Sequence, residues 1–172
     1  PDEFVANIGE FDALSGELSA YVLDIGYVPS TIQVIYNAHR PSVLYALYEH
    51  DMVGHTNIDF GITQNVGCVK LAQSHGYVIT EATFQCAVTN MNVECVLYIH
   101  SMHPTWTAQI GIHTDIDIIN PTYVVGECLK IGCIFHDDAC ATAIKYGDVE
   151  LLAYMCDRGA ALNDAIDAAI EC

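Results

Sequence analysis

The chain has 172 residues, enough to bury one continuous core, and its 52% hydrophobic and 16% charged residues exclude an intrinsically disordered polymer. Five Lys and Arg against 22 Asp and Glu give a formal net charge of −17, which leaves no basic footprint for nucleic acid or anionic lipid. No apolar run approaches the ~20 residues that cross a bilayer and no basic-then-apolar leader opens the sequence, so no membrane insertion is expected.

In chain order, the predicted elements repeat. "GELSAYVLDIG" (16–26) is a helix stopped at Gly26, and "RPSVLYALYEH" (40–50) is a second, opened by Pro41 and closed at His50. Its apolar stripe is Ser42, Val43, Ala46 and Leu47. "VGCVKLAQSHG" (66–76) closes at Gly76. "TEATFQCAVTN" (80–90) is a shorter helix with Thr80 as its N-cap. It precedes "VECVLYIHSMH" (93–103), whose stripe is Cys95, Val96, Ile99 and His100 and whose closer is His103. Asn120-Pro121 reads as a cap and first helical position before "TYVVGECLKIG" (122–132), which ends at Gly132. "DDACATAIKY" (137–146), capped by Asp137, leads through Gly147 to "VELLAYMCDRG" (149–159). That last helix places Leu151, Leu152, Met155 and Cys156 on one face and stops at Gly159.

The closers at 26, 50, 76, 103, 132 and 159 are separated by 24, 26, 27, 29 and 27 residues. Each unit is therefore a helix–turn–helix–loop of about 27 residues, with small residues such as Ala87 and Ala143 where paired helices approach. Helices of this length are marginal alone in water, so neighbouring units have to share a core. The fold class this predicts is all-α, an α-solenoid of about six stacked helix–turn–helix repeats. It forms a single domain over 1–172, with 160–172 as the start of a further repeat or a C-terminal cap.

"GDVELLAYMCDRGA" (147–160) resembles the second helix of an ankyrin repeat, through Gly147, Val149, Glu150, Leu151, Leu152, Met155 and Gly159. "ATAIKYG" (141–147) is similar to the family's first helix, with Ala143 and Ile144 on its paired alanines. "NMNVECVLYIHSMH" and "QNVGCVKLAQSHG" are weaker copies. The Thr-Pro-Leu-His tetrapeptide is absent, and the short period leaves no room for a full β-hairpin finger between helix pairs. Short, hairpin-poor ankyrin-like arrays of this kind occur in large DNA viruses and some protists. The resemblance implies a concave recognition surface made of first helices and loops.

Catalytic signatures are missing: the chain has no G-x-S-x-G, Walker A, H-E-x-x-H or G-x-G-x-x-G motif. The D-x-D pair in "TDIDIIN" (114–120) lacks the Gly and Glu of a calcium loop. The eight cysteines form no C-x-x-C pair, so they read as reduced, buried thiols of a cytoplasmic protein. His100 falls at a stripe position, where a half-buried histidine with one hydrogen bond is favoured over a metal ligand. Tyr21, Tyr45, Tyr98 and Tyr154 fall five residues before their closers, as a packing column or an exposed aromatic ladder.

No enzyme activity, cofactor or metal is expected. The function these features favour is a non-catalytic protein–protein interaction module. By alignment its outward first-helix places are Gln33, Tyr36, Asn37, Asp59, Thr63, Thr89, Asn90, Asp115, Lys145 and Tyr146. The acidic balance favours a basic protein partner. The alternative is a structural component of a larger assembly, such as a virion or a cytoskeletal lattice, because "AIDAAIEC" ends the sequence as a first helix without its partner. The expected compartment is the cytoplasm, or a host cytoplasm or virion for a viral chain.

Overall fold

The computed structural model describes residues 16–54, 56–111, 121–145 and 147–162. Among them are ten helices and two strands of two residues each, so the all-α class holds. The chain divides into two compact units, Pro1–Thr83 and Phe84–Cys172. The first contains α1 (Gly16–Asp24), α2 (Thr31–Asn37), α3 (Pro41–Glu49), α4 (Asp59–Ile62) and α5 (Val66–Ser74). The division falls within α6 (Glu81–Thr89), after which come α7 (Val93–Met102), β1 (Gln109–Ile110) and α8 (Pro121–Lys130). β2 (Ile134–Phe135), α9 (Ala139–Lys145) and α10 (Val149–Asp157) complete the second unit.

Local chemistry starts these helices. Ser30 and Gln33 form a capping box on α2, each side chain accepting from the other's backbone N–H. Pro41 occupies the first turn of α3, where its missing N–H costs nothing. Asn65, Asn92 and Asp148 cap α5, α7 and α10 by accepting from Gly67, Cys95 and Leu151 N–H groups. Thr80 accepts from the Thr83 N–H as expected. The start of α9 lies further along than the sequence suggests. Ala139 is its first residue, so the cap position falls on Asp138, whose carboxylate bonds the His136 ring, and Asp137 stays outside the helix.

The second helix of each pair begins at Gly16, Pro41, Val66, Val93, Pro121 and Val149, in steps of 25, 25, 27, 28 and 28 residues. In the first unit α3 packs on both α1 and α5, while α2 packs on α4. In the second, α8 packs on both α7 and α10, with α9 beside α10. Helices of the same rank therefore meet across one repeat within each unit.

Five second helices end in the same hydrogen-bonded turn. Gly26, Gly76, Gly132 and Gly159 take φ values of 86–93°, the left-handed region that a Cβ penalises. The following amides donate back across the turn: Tyr27 to Val22, Tyr77 to Ala72, Cys133 to Cys128 and Ala160 to Met155. The second unit of the series corrects the sequence alignment by one residue. His50 has φ −97°, and it is Asp51, at φ 55°, that makes the turn, with Met52 donating to Leu47. An aspartate tolerates this conformation well enough to stand where glycine stands elsewhere. His103, at φ −132°, has no such turn, and its N–H bonds only Ile99.

With Asp51 as closer, the residue four places before each turn is buried in every unit: Val22, Leu47, Ala72, Ile99 (before His103), Cys128 and Met155 are all at most 1% exposed. The buried stripe of α3 is Val43, Leu44, Ala46 and Leu47. Ser42, expected inside, is exposed. Each large aliphatic member contributes about 1.5–3 kcal/mol of burial.

Two close approaches fix the frame. A Cβ at Gly61 would lie 2.1 Å from the Ile35 carbonyl oxygen and 2.7 Å from the Ala38 Cβ, so only glycine lets α4 touch α2. In the second unit β1 pairs parallel with β2, Gln109 opposite Ile134 and Ile110 opposite Phe135. The Gln109 backbone uses its own N–H and C=O on the Gln85 side-chain amide, at 2.9 and 2.8 Å.

Candidate functional site

Of the ten places expected to face outward, the structure leaves Tyr36 and Lys145 exposed and Gln33 and Thr89 half-buried. Gln33 is occupied by its cap, accepting from Ser30 N–H at 2.9 Å and from the Tyr27 hydroxyl at 3.1 Å. Thr89 accepts from Gln85 Nε2 at 3.3 Å. Asp115 and Tyr146 lie outside the described residues.

Asn37, Asp59, Thr63 and Asn90 are buried, contrary to their expected placement. The polarity of Asn37, Asp59 and Thr63 serves the frame. Asn37 donates to the Gln33 carbonyl at 2.8 Å and accepts from Arg40 at 3.0 Å, tying off the end of α2. Thr63 donates to the Asp59 carbonyl at 2.6 Å, closing the single turn of α4. The Asp59 carboxylate accepts from the Thr83 hydroxyl at 2.6 Å and the Tyr77 hydroxyl at 3.3 Å. Asn90 sits at the end of α6, just before Met91 takes φ 51°. Buried polar groups keep their place only when hydrogen-bonded, and a variable-looking polar residue on a short helix does not reveal a partner 24 residues away.

What the first-helix side of the first unit does expose is aromatic. Tyr36 on α2 meets Phe60 on α4 edge to face, with ring centroids 6.1 Å apart and planes at 77°. The rings are 56% and 37% exposed, and Ile32, one turn before Tyr36, is 66% exposed. Sequence reading took Tyr36 and missed Phe60. The available signal was a large aromatic flanked by Asp59, already chosen, and by a glycine inside a helix.

The tyrosine column is only partly a column. Tyr21 and Tyr45 are exposed, and Tyr98 and Tyr154 are half-buried. The one-residue shift of the closer to Asp51 moves Tyr45 out of register. Tyr154 lies under the Arg158 guanidinium, 4.7 Å from its ring centre. Described histidines meet neighbouring side chains: His50 Nε2 lies 3.3 Å from Asp24, and His75 stacks on Tyr48 at 4.4 Å. His103 stacks on Trp106 at 3.8 Å, and half-buried His100 lies against Phe84. His100 Nδ1 has no hydrogen-bond partner among the described residues, where one was expected. Among those residues no group of three or more His, Cys, Asp or Glu side chains is placed to hold a metal ion.

Of the cysteines described, Cys68, Cys95, Cys128, Cys133 and Cys140 are buried, and Cys86 and Cys156 half-buried, all as free thiols. Burial pushes the Cys68 thiol up to about 12. Cys128 and Cys133 share a side-chain hydrogen bond. That bond, with the Ala108 N–H, brings Cys133 down to about 7, while the same bond and burial push Cys128 far up. Cys133 lines a cleft of about 310 Å³, together with Leu129, Phe135, His136, Asp137 and Arg158. Among the described residues no helix is long and apolar enough to cross a membrane. No protein-family model, curated protein or solved structure matches this chain.

Proposed function

We propose that the chain is an ankyrin-like α-solenoid that acts as a non-catalytic protein-binding module. The solenoid reading is supported by second helices that restart every 25–28 residues and by packing between helices of equal rank within each unit. The binding reading rests on the exposed Tyr36–Phe60 aromatic step on adjacent first helices. Large aromatic side chains left in water on a folded surface lose apolar burial that a partner would restore, and tyrosine is a preferred anchor at interfaces. The formal charge of −17 would favour a basic partner for the chain. The polar places buried in the frame drop out of the recognition set, and Phe60 and Ile32 join Tyr36 on the first unit.

The test is affinity capture on wild-type protein and on Tyr36→Ser/Phe60→Ser, with folding checked by circular dichroism. A bound protein lost from the folded double variant, and regained with Phe at position 36, supports the reading. An identical set of captured proteins on both overturns it.

A further inference from the structure

The pair Cys128–Cys133 has no part in the binding surface, yet it is built as a pair. Cys128 occupies the always-buried place in α8, four residues before Gly132, and Cys133 is the first residue after that turn. The Cys133 N–H donates to the Cys128 carbonyl at 3.0 Å, which clamps the two backbones across the left-handed glycine. In this turn the residues at the two ends point their side chains at one another, normally as an apolar contact. Here the contact is thiol to thiol.

The surroundings differ for the two sulfurs. Cys128 is fully buried, whereas Cys133 is 3% exposed and lines the 310 Å³ cleft between the end of α8, β2 and the turn after α10. Arg158 lines the same cleft, so a fixed cationic donor stands on the wall that an incoming oxidant would meet. Cys133 receives hydrogen bonds from the Cys128 thiol and the Ala108 N–H, which favour its thiolate near neutral pH. Cys68 is equally buried, and there burial alone acts on the thiol and pushes it up.

We propose that Cys133 and Cys128 are a redox-active pair in which small hydroperoxides entering the cleft oxidise Cys133 and Cys128 resolves it to a disulfide. The Cys133 thiolate attacks the outer peroxide oxygen, the O–O bond breaks and the alcohol (water, for hydrogen peroxide) leaves with a solvent proton. The Cys128 sulfur then attacks the sulfenic sulfur. The S–O bond breaks and water leaves with the Cys128 proton. One hydroperoxide is reduced by two electrons and two thiols are oxidised to one disulfide. A small dithiol returns the pair to its starting state.

The experiment is peptide mapping of the native chain after one equivalent of hydrogen peroxide and alkylation of remaining thiols. Trypsin cuts after Lys130, between the two cysteines, so a Cys128–Cys133 disulfide holds two peptides together. The proposal expects that cross-link first, reversed by dithiothreitol. In untreated protein at neutral pH, it expects Cys133 to react with iodoacetamide at least roughly tenfold faster than Cys68. Cys128→Ala should stop at a sulfenic acid on Cys133 that dimedone captures. A cross-link that forms first between Cys140 and Cys156, or equal alkylation of Cys133 and Cys68, overturns the proposal. Both measurements on wild-type protein decide it even if the alanine variant fails to fold.

Discussion

The Thr83 hydroxyl reaches across 24 residues of sequence to the Asp59 carboxylate at 2.6 Å, and both side chains are buried. The Tyr77 hydroxyl completes the pocket, donating to the same oxygen at 3.3 Å while accepting from the Ile58 N–H. A four-residue helix has too few internal bonds to hold itself, so this carboxylate anchors α4 from outside. Asp59→Ala strands both hydroxyls and should cost ~2–3 kcal/mol, read as a lower urea midpoint. Charge reversal to Lys at this position should unfold the first unit rather than probe a surface. A midpoint within error of wild type for Asp59→Ala would show that the bond is not supporting the helix.

Gly61 stands where the first helices α2 and α4 meet. Its alanine variant forces a Cβ to 2.1 Å from the Ile35 carbonyl oxygen, so α4 must move away from α2 and carry Phe60 off Tyr36. The expected loss is ~3 kcal/mol. Thermal unfolding measures it, and an unchanged midpoint would refute the close packing.

Asp51→Gly should stabilise the chain by ~1 kcal/mol, because it removes the Cβ from a left-handed position that four other units fill with glycine. Ala at Gly76 should destabilise by a similar amount. Chemical denaturation of the two variants side by side reads both signs, and a destabilising Asp51→Gly would refute the shared turn.

The thiol pair gives stability a pH dependence of fixed sign. The folded Cys133 thiol titrates at about 7, below its ordinary value of 9.0, so the folded chain sheds this proton first. Its contribution is complete above the unfolded value and is lost as pH falls through about 7. Cys128 is raised, so the folded chain holds that proton at higher pH, and the unfolded state gains once pH exceeds its ordinary 9.0. The pair's contribution therefore rises from neutral pH towards 9 and falls beyond it. Urea midpoints of wild type minus Cys128→Ala/Cys133→Ala across this range isolate it, and a flat difference would contradict the assignment.

The repeat itself was legible because its signals are local. Pro41, the cap at Thr80 and the closing glycines act within a few residues, so a period shows before any packing is known. Asp51 escaped because aspartate marks a left-handed turn far less strongly than glycine, and His50 sat where the spacing suggested a closer. Asp59 and Asn37 escaped for a different reason: a polar side chain on a short helix reads as solvated until its partner is located. Cys128 and Cys133 lie five apart, a spacing that fits neither helix nor strand. Only the chain reversal at Gly132 joins them.

Gln85 does something for the second unit besides filling a gap. A two-residue parallel pair leaves one strand with unspent backbone groups along its outer side, the side on which β-sheets recruit foreign strands. The Gln85 amide has the same donor and acceptor as a peptide bond, and it takes both of those groups on Gln109. The edge of β1 is therefore closed by a side chain rather than by another strand. Among the described residues the one fragment of sheet is thereby kept from templating aggregation, at the cost of a single glutamine.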